Sequence, residues 1–283
     1  MNPHFRALTP AYQLHSYFCF KTHYLQPLLA SRPAQSLVRD VLIDVCDREE
    51  YNLLETAVAD DHLRVLLSLQ PMQAVARVAK MLKGNIDREF SLAFQHESRF
   101  RKLFARGYFA RSSGKVNLEA ARHYVETQAA HHGYRGEWVK PLTYRNSNFR
   151  SPAFPLTHSY CLLNYHLVLA TQNRISLFDE MIAPRLFKYA ICVGEKHGFA
   201  IERMGLMPDH FHLLIEARSD VAIEECARAL LENTRWWMER SYWGVLKETD
   251  GWDVWQPSYY AGTVGEYTTP QVERFLRSGD SSL

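Results

Sequence analysis

Two stretches of the chain read as one strand written twice: residues 207–217 are Met-Pro-Asp-His-Phe-His-Leu-Leu-Ile-Glu-Ala, and residues 59–69 are Ala-Asp-Asp-His-Leu-Arg-Val-Leu-Leu-Ser-Leu. The later copy carries His210 and His212, where the earlier copy carries His62 and Arg64. Alternate residues of a strand point to one face, so two histidines can share a metal ion, whereas a histidine and an arginine cannot. The chain is therefore predicted to be an internal duplication in which one copy has lost part of a site.

The predicted elements follow the same order around both copies of this strand. The first copy reads as strand, helix, strand, strand, helix, strand and a further helix over residues 15–22, 33–48, 51–58, 62–69, 72–90, 108–111 and 117–131. The second copy repeats the order over residues 165–171, 183–197, 199–205, 209–217, 222–237, 259–262 and 268–278. Strand, helix, strand, strand, helix, strand is the ferredoxin-like arrangement, an antiparallel sheet with its helices on one face.

The fold class is therefore predicted as α+β, with two ferredoxin-like domains arranged as an intramolecular pseudo-dimer. Turn-forming residues between the copies, such as Pro141, Asn146 and Pro152, predict a linker. The expected division is a first domain over residues 1–134, a linker over residues 135–156 and a second domain over residues 157–283.

The composition fits a globular protein with room for two domains, because 47% of the 283 residues are hydrophobic and 23% are charged. No apolar run approaches the roughly 18 residues of a membrane span, and the N-terminus lacks the apolar core of a signal peptide. The five cysteines form no Cys-x-x-Cys pair. We expect a cytoplasmic protein with reduced thiols and no membrane partner.

The two halves differ in charge, with 21 basic against 14 acidic side chains in residues 1–150 and 12 against 17 in residues 151–283. A basic first half suits a polyanionic partner, although drift on two solvated surfaces explains the charges equally well. One segment interleaves aromatic residues with basic residues, namely Arg99, Arg101, Lys102, Arg106 and Arg111. It suits contacts with single-stranded or hairpin DNA, or else consists of packed aromatics and solvated charges.

At His210-Phe211-His212 the chain resembles the histidine strand of single-tyrosine transposases of the insertion-sequence 200/605 group and their repeat-associated relatives. Met-Pro-Asp at residues 207–209 matches the family's approach to that strand, and Trp-Gln-Pro-Ser-Tyr-Tyr at residues 255–260 matches the lead into its last strand. In the first copy, residues 124–132 look like the helix that carries the family's nucleophilic tyrosine, with a glutamine one turn later. The resemblance covers nearly the whole chain, twice.

A gapless alignment of residues 107–128 with residues 258–279 compares the two copies of this last helix. It puts Tyr124 opposite Phe275 and Gln128 opposite Gly279, so each copy lacks what the other retains. Dimeric members of the family build each site in trans. The resemblance therefore implies one composite site made of His210, His212, Tyr124 and Gln128. It also implies a degenerate, inert counterpart made of His62, Arg64, Phe275 and Gly279.

The resemblance implies a metal-dependent chemistry for the composite site. Two imidazoles and an amide oxygen would hold Mg²⁺ or Mn²⁺, and Tyr124 would attack DNA to leave a 5′-phosphotyrosine. A single-site chain is expected to act as a monomeric pseudo-dimer, with a higher assembly where two cuts are needed. The alternative is a domesticated protein that binds a hairpin or repeat without cutting it, and an RNA-binding role is less favoured. Arg64 is either a decay product or a phosphate contact, and the basic first half favours the contact.

Overall fold

A computed structural model of the protein describes residues 5–94, 102–131, 142–152, 158–242, 244 and 253–278, and the side chains of those residues other than 128–131. The strands in this part of the chain are β1 (Thr9–Gln13), β2 (His15–Lys21), β3 (Asn52–Val58), β4 (His62–Ser68), β5 (Phe109–Ser113), β6 (Leu142–Arg145), β7 (Tyr160–Leu162), β8 (Asn164–Ala170), β9 (Phe199–Met207), β10 (His210–Ala217) and β11 (Ser258–Val264). The helices are α1 (Arg32–Arg48), α2 (Val75–Ala93), α3 (Leu118–His131), α4 (Ala183–His197), α5 (Ile223–Ser241) and α6 (Thr269–Ser278).

The strands form two sheets, one for each half of the chain. The first has the order β3-β4-β2-β5-β7, and the second has the order β1-β11-β8-β10-β9-β6. The four strands native to each half pair antiparallel throughout. Helices α1 and α2 pack together in the first half, as do α4 and α5 in the second. The predicted α+β class and the two ferredoxin-like units are confirmed.

Local sequence explains where these helices begin and end. Ser31 precedes α1 and its hydroxyl accepts a hydrogen bond from the amide of Ala34, which satisfies one of the exposed amides at the helix start. Val38, Leu42 and Val45 then recur at helical spacing and are buried in the core. At the end of α4, Gly198 adopts a left-handed conformation with φ of 82°, which glycine tolerates without strain.

The two halves exchange elements at both ends of each unit. Strand β1 leaves the first half and pairs parallel with β11, whereas β7 leaves the second half and pairs parallel with β5. Helix α3 packs on β9 and β10 of the second half, and α6 packs on β3 and β4 of the first. In the second half, α3 covers the face of the sheet that carries His212, opposite the face that Phe211 presents to α4. The helices that belong to each unit therefore lie on one face of its sheet, as predicted, and the exchanged helix from the other half covers the opposite face.

The segment predicted as a linker contains a strand. Residues 142–145 pair antiparallel with β9 at the edge of the second sheet. Leu142 and Tyr144 are half-buried and pack against the core, because alternate residues of the strand face it. Because turn-forming residues lie on both sides of this four-residue strand, its alternation of half-buried and exposed residues is hard to recognise in the sequence. Residues 135–141 and 153–156 of the predicted linker lie outside the described part of the chain.

The interface between the halves is built from reciprocal contacts. The amide of Ala76 donates to the carbonyl of Ser219 at 2.7 Å, and the equivalent amide of Glu224 donates to the carbonyl of Pro71 at 3.1 Å. All five cysteines are free thiols. No helix within the described residues is long and apolar enough to span a membrane.

Candidate active site

The histidine strand lies at the centre of the second sheet. Strand β10 is bonded to β8 on one side and to β9 on the other. His210 and His212 face the same side, are only 2% and 3% exposed, and have ring centroids 4.9 Å apart. The shared face expected from strand geometry is therefore present.

A buried carboxylate orients His210. Oδ1 of Asp209 lies 2.6 Å from Nδ1 of His210, and Oδ2 of Asp209 lies 2.8 Å from Nε of Arg174. Because the ion-paired carboxylate accepts a hydrogen bond, a neutral His210 carries its proton on Nδ1 and has its lone pair on Nε2. Nε2 is therefore the atom of His210 that could bind a metal.

A third histidine, which the sequence analysis missed, plays the same part for His212. Nε2 of His166, on β8, lies 2.9 Å from Nδ1 of His212, and the two rings stack at 17° with centroids 5.1 Å apart. Burial lowers the pKa of His166 to about 4, so this ring is neutral near pH 7. A neutral His166 can accept the Nδ1 proton of His212, which leaves the lone pair of His212 on Nε2.

Helix α3 brings Tyr124 of the first half to these histidines. Ala121 and Val125, on the same helix, are buried against Leu214 and Val264 of the second half. The Tyr124 ring centroid then lies 5.7 Å from that of His212 and 5.7 Å from that of His166. Three of the four residues predicted for the composite site thus lie together, although they come from different copies.

Tyr124 lines a cavity of about 330 Å³ between the halves, together with His166, Tyr260 and the exposed Lys115. The Tyr260 ring centroid lies 6.0 Å from that of His166. Burial, and to a lesser extent the neighbouring Tyr124, raise the pKa of Tyr260. The cavity thus brings two phenols and a basic side chain to the face of the sheet that carries the histidines.

The fourth predicted residue, Gln128, lies four positions after Tyr124 on α3, but its side chain is outside the described part of the molecule. Among the side chains that the structure describes, no group of three or more His, Cys, Asp or Glu could hold a metal ion. His210 and His212 fit a divalent ion as two oriented imidazoles, and a third protein ligand would have to be of another residue type, such as an amide. The metal set stays a prediction.

The equivalent site on the first sheet is closed by apolar and cationic groups. Arg64 replaces His212, and its guanidinium carbon lies 4.5 Å from the ring centroid of Phe275, which replaces Tyr124. Tyr17 stands where the second half has His166, with its ring centroid 6.5 Å from that of Phe275.

The other residues of the first-sheet site differ in what they retain. His62 keeps a carboxylate neighbour, since its Nδ1 lies 2.5 Å from Oδ1 of Asp61. Arg64 is buried against an aromatic ring, and its contact with DNA stays a prediction. Gly279 lies outside the described residues.

The structure describes only part of the predicted basic segment, because Arg99 and Arg101 lie outside the described residues. Lys102 and Arg106 are exposed, whereas Arg111 is half-buried. The guanidinium of Arg111 lies 5.0 Å from the ring centroids of both Phe109 and Tyr267 and 3.6 Å from a carboxylate oxygen of Glu266. Arg111 therefore packs within the protein, and DNA contacts by Lys102 and Arg106 stay predictions.

Comparisons with known proteins agree with the duplication. The sequence matches the family described as IS200-like transposases over residues 10–128 and again over residues 159–278. It is 29% identical over 116 residues to the ISDra2 transposase TnpA of Deinococcus radiodurans, across 41% of this chain and 83% of that protein. A transposase candidate of known structure from D. radiodurans R1 is 22% identical, with a TM-score of 0.35, over 49% of this chain and 99% of that one. A REP-associated tyrosine transposase bound to a REP hairpin is 16% identical, with a TM-score of 0.29, over 50% of this chain and 78% of that one. The family resemblance is therefore confirmed, once in each half.

Proposed function

The chain belongs to the IS200-like transposase family, and on that premise we propose that it nicks single-stranded or hairpin DNA and transfers the cut strand through one site shared by its two halves. The proposal is carried by the position of Tyr124, whose ring lies 5.7 Å from that of His212, centroid to centroid. The equivalent helix brings Phe275, which has no hydroxyl, to the other sheet. Within the described residues, a phenol on an exchanged helix therefore meets a pair of histidines at one of the two sheets.

In the proposed reaction, the hydroxyl oxygen of Tyr124 attacks a DNA phosphorus atom. The bond from phosphorus to the 3′ oxygen breaks, which leaves a 5′-phosphotyrosine and a 3′-hydroxyl that takes up a proton in place of the one lost by the phenol. The phosphodiester energy stays in the tyrosine linkage. A 3′-hydroxyl can therefore reverse the step and join strands without ATP.

The chain's own residues would orient this reaction. Mg²⁺ or Mn²⁺ held by His210, His212 and Gln128 would polarise the scissile phosphate and favour the phenolate form of a tyrosine. Asp209 and His166 would keep the two imidazoles in the tautomers that bind cations. The exposed Lys115 beside the cavity would attract the phosphate backbone.

The decisive experiment looks for a covalent DNA adduct. The protein is incubated with Mn²⁺ or Mg²⁺ and single-stranded hairpin substrates, separated on a denaturing gel, and digested to map the modified residue. We expect an adduct on Tyr124 that is absent from Tyr124→Phe. Because a single missing nucleophile removes the covalent route altogether, the loss should be essentially complete.

A matched pair of histidine variants tests the shared site. His210→Ala should abolish the adduct, whereas His62→Ala, at the equivalent position of the other sheet, should retain it. An adduct on another residue, or one that survives His210→Ala and is lost in His62→Ala, would overturn the composite site. If no DNA forms an adduct while Tyr124→Phe binds as well as the parent protein, the chain is a DNA-binding protein that does not cut.

A further inference from the structure

Each exchanged helix has two equivalent places where it could dock. Helices α3 and α6 follow equivalent strands, and the two sheets offer equivalent faces across the pseudo-symmetric interface. In a dimer of identical subunits, such a helix makes nearly the same contacts whether it docks on its own subunit or on the other one. In this chain, the side chains at the two docking faces are not identical.

Helix α3 is held on the second sheet by two ion pairs. Glu126 pairs with Arg203 of β9, a residue whose side chain is 10% exposed. Arg122 pairs with the neighbouring Glu202, with Nε at 2.7 Å from one carboxylate oxygen and a terminal nitrogen at 3.1 Å from the other. Both pairs join the first half to the second.

Helix α6 is held on the first sheet by the same contact with its charges reversed. Nε of Arg277 lies 2.6 Å from a carboxylate oxygen of Glu55 on β3. The gapless alignment makes Arg277 the equivalent of Glu126. Glu55 is the equivalent of Arg203, because each residue follows a β-bulge and pairs with an equivalent leucine, Leu66 for Glu55 and Leu214 for Arg203.

Unexchanged docking would bring like charges together. Glu126 of α3 would face Glu55, and Arg277 of α6 would face Arg203. Glu273, the equivalent of Arg122, would in turn approach Glu202. We propose that these reversed charges are the positioning device that assigns each helix to the sheet of the other half. The device goes beyond the proposed DNA chemistry, because it fixes which helix reaches which sheet whether or not DNA is cut.

The test swaps the charges of the two helices without changing the net charge. In Glu126→Arg/Arg277→Glu, both exchanged contacts become repulsive and both unexchanged contacts become attractive. Thiol pairs report the docking: Tyr124→Cys with His166→Cys for the exchanged arrangement, and Tyr124→Cys with Tyr17→Cys, at the equivalent position, for the unexchanged one. A short thiol-to-thiol crosslinker is applied, and linked peptides are identified by mass spectrometry to separate them from the native cysteines.

We expect the ratio of exchanged to unexchanged crosslink to fall about tenfold in the helix swap, since two partly exposed contacts reverse sign in each arrangement. Adding Glu55→Arg and Arg203→Glu restores every pair in reversed form, so the fourfold variant should regain the parent ratio. An unchanged ratio in a folded helix swap overturns the proposal. If the helix swap unfolds, a fourfold variant that does not recover the exchanged crosslink overturns it as well.

Discussion

In the proposed site, His166 would act through His212 and not by binding DNA or the cation itself. Its ring stacks on His212 and lies 2.9 Å from the nitrogen that His212 turns away from the proposed ligand position. His166→Phe keeps an aromatic ring but removes this acceptor. We expect Mn²⁺ affinity, measured by calorimetry, to fall about 10- to 100-fold, the usual cost of losing such an orienting partner.

A control for this prediction is available in the other half. Tyr17→Phe changes the equivalent position on the first sheet and should leave Mn²⁺ affinity as in the parent protein. His166→Gln retains a side-chain acceptor and should recover part of the affinity. Equal affinities for the parent protein and His166→Phe would show that His166 does not orient the metal ligand.

The residues of the candidate site differ in how far sequence could identify them. The shared face of His210 and His212 follows from the alternation of one strand, whereas the family resemblance implies the site role of these histidines and of Tyr124. His166 follows from neither, because its role depends on the register that sets it opposite Leu214, two residues from His212. Strand pairing is a tertiary property that alternation within one strand leaves open.

At the scale of elements, the two connections that carry α3 and α6 cross at equivalent glycines. A Cβ at Gly114 would overlap the carbonyl oxygen of Thr263, and a Cβ at Gly265 would overlap that of Ser112. Each overlap involves backbone that cannot swing away. Gly265→Ala should therefore lower the free energy of unfolding by about 1–3 kcal/mol, as overpacking does in well-packed interiors.

Denaturant unfolding monitored by tryptophan fluorescence measures this effect, with Gly84→Ala as the matched control. Gly84 is exposed on α2, and no atom of the described residues beyond its own stretch of helix lies within 4 Å of the place that a Cβ would take. Alanine there should raise the free energy of unfolding by up to about 1 kcal/mol, because it favours the helix more than glycine does. If Gly265→Ala is as stable as the parent protein, the two connections do not cross as closely as described.

The elements inside each unit could be predicted because hydrophobic periodicity is local. Helix α4 begins and ends where the sequence predicts, at Ala183 and His197. The exchanged strands β1 and β7 could not be predicted in the same way, since β7 has only three residues and pairs with a strand from the other half. Helix α2 begins at Val75, three residues later than predicted, because the side chain of Gln73 accepts from the amide of Gln70 and closes a turn before the helix.

At the scale of the whole molecule, the fusion makes the two halves unequal partners. The second sheet carries the histidines, and the first half supplies the tyrosine helix that reaches them. The reciprocal face joins Arg64 to Phe275. A pair of equal subunits would have two sites. In the proposed function, each half of this chain instead supplies different parts of one site, and the interface between the halves would be part of that site.

This inequality predicts one DNA adduct per chain and an assembly step for any reaction that needs two cuts. Each chain has one Tyr124 beside one histidine pair, so saturating hairpin substrate should give at most one covalent DNA per chain, counted by intact mass spectrometry. The initial rate of nicking should rise linearly with protein concentration, because one molecule suffices. Excision of a segment with two ends needs two tyrosines, so its rate should rise with about the square of the protein concentration while the chain is dilute and monomeric. Two adducts on one chain would mean that the face of Arg64 and Phe275 is not inert. An excision rate that stays proportional to protein concentration on dilution would mean the same.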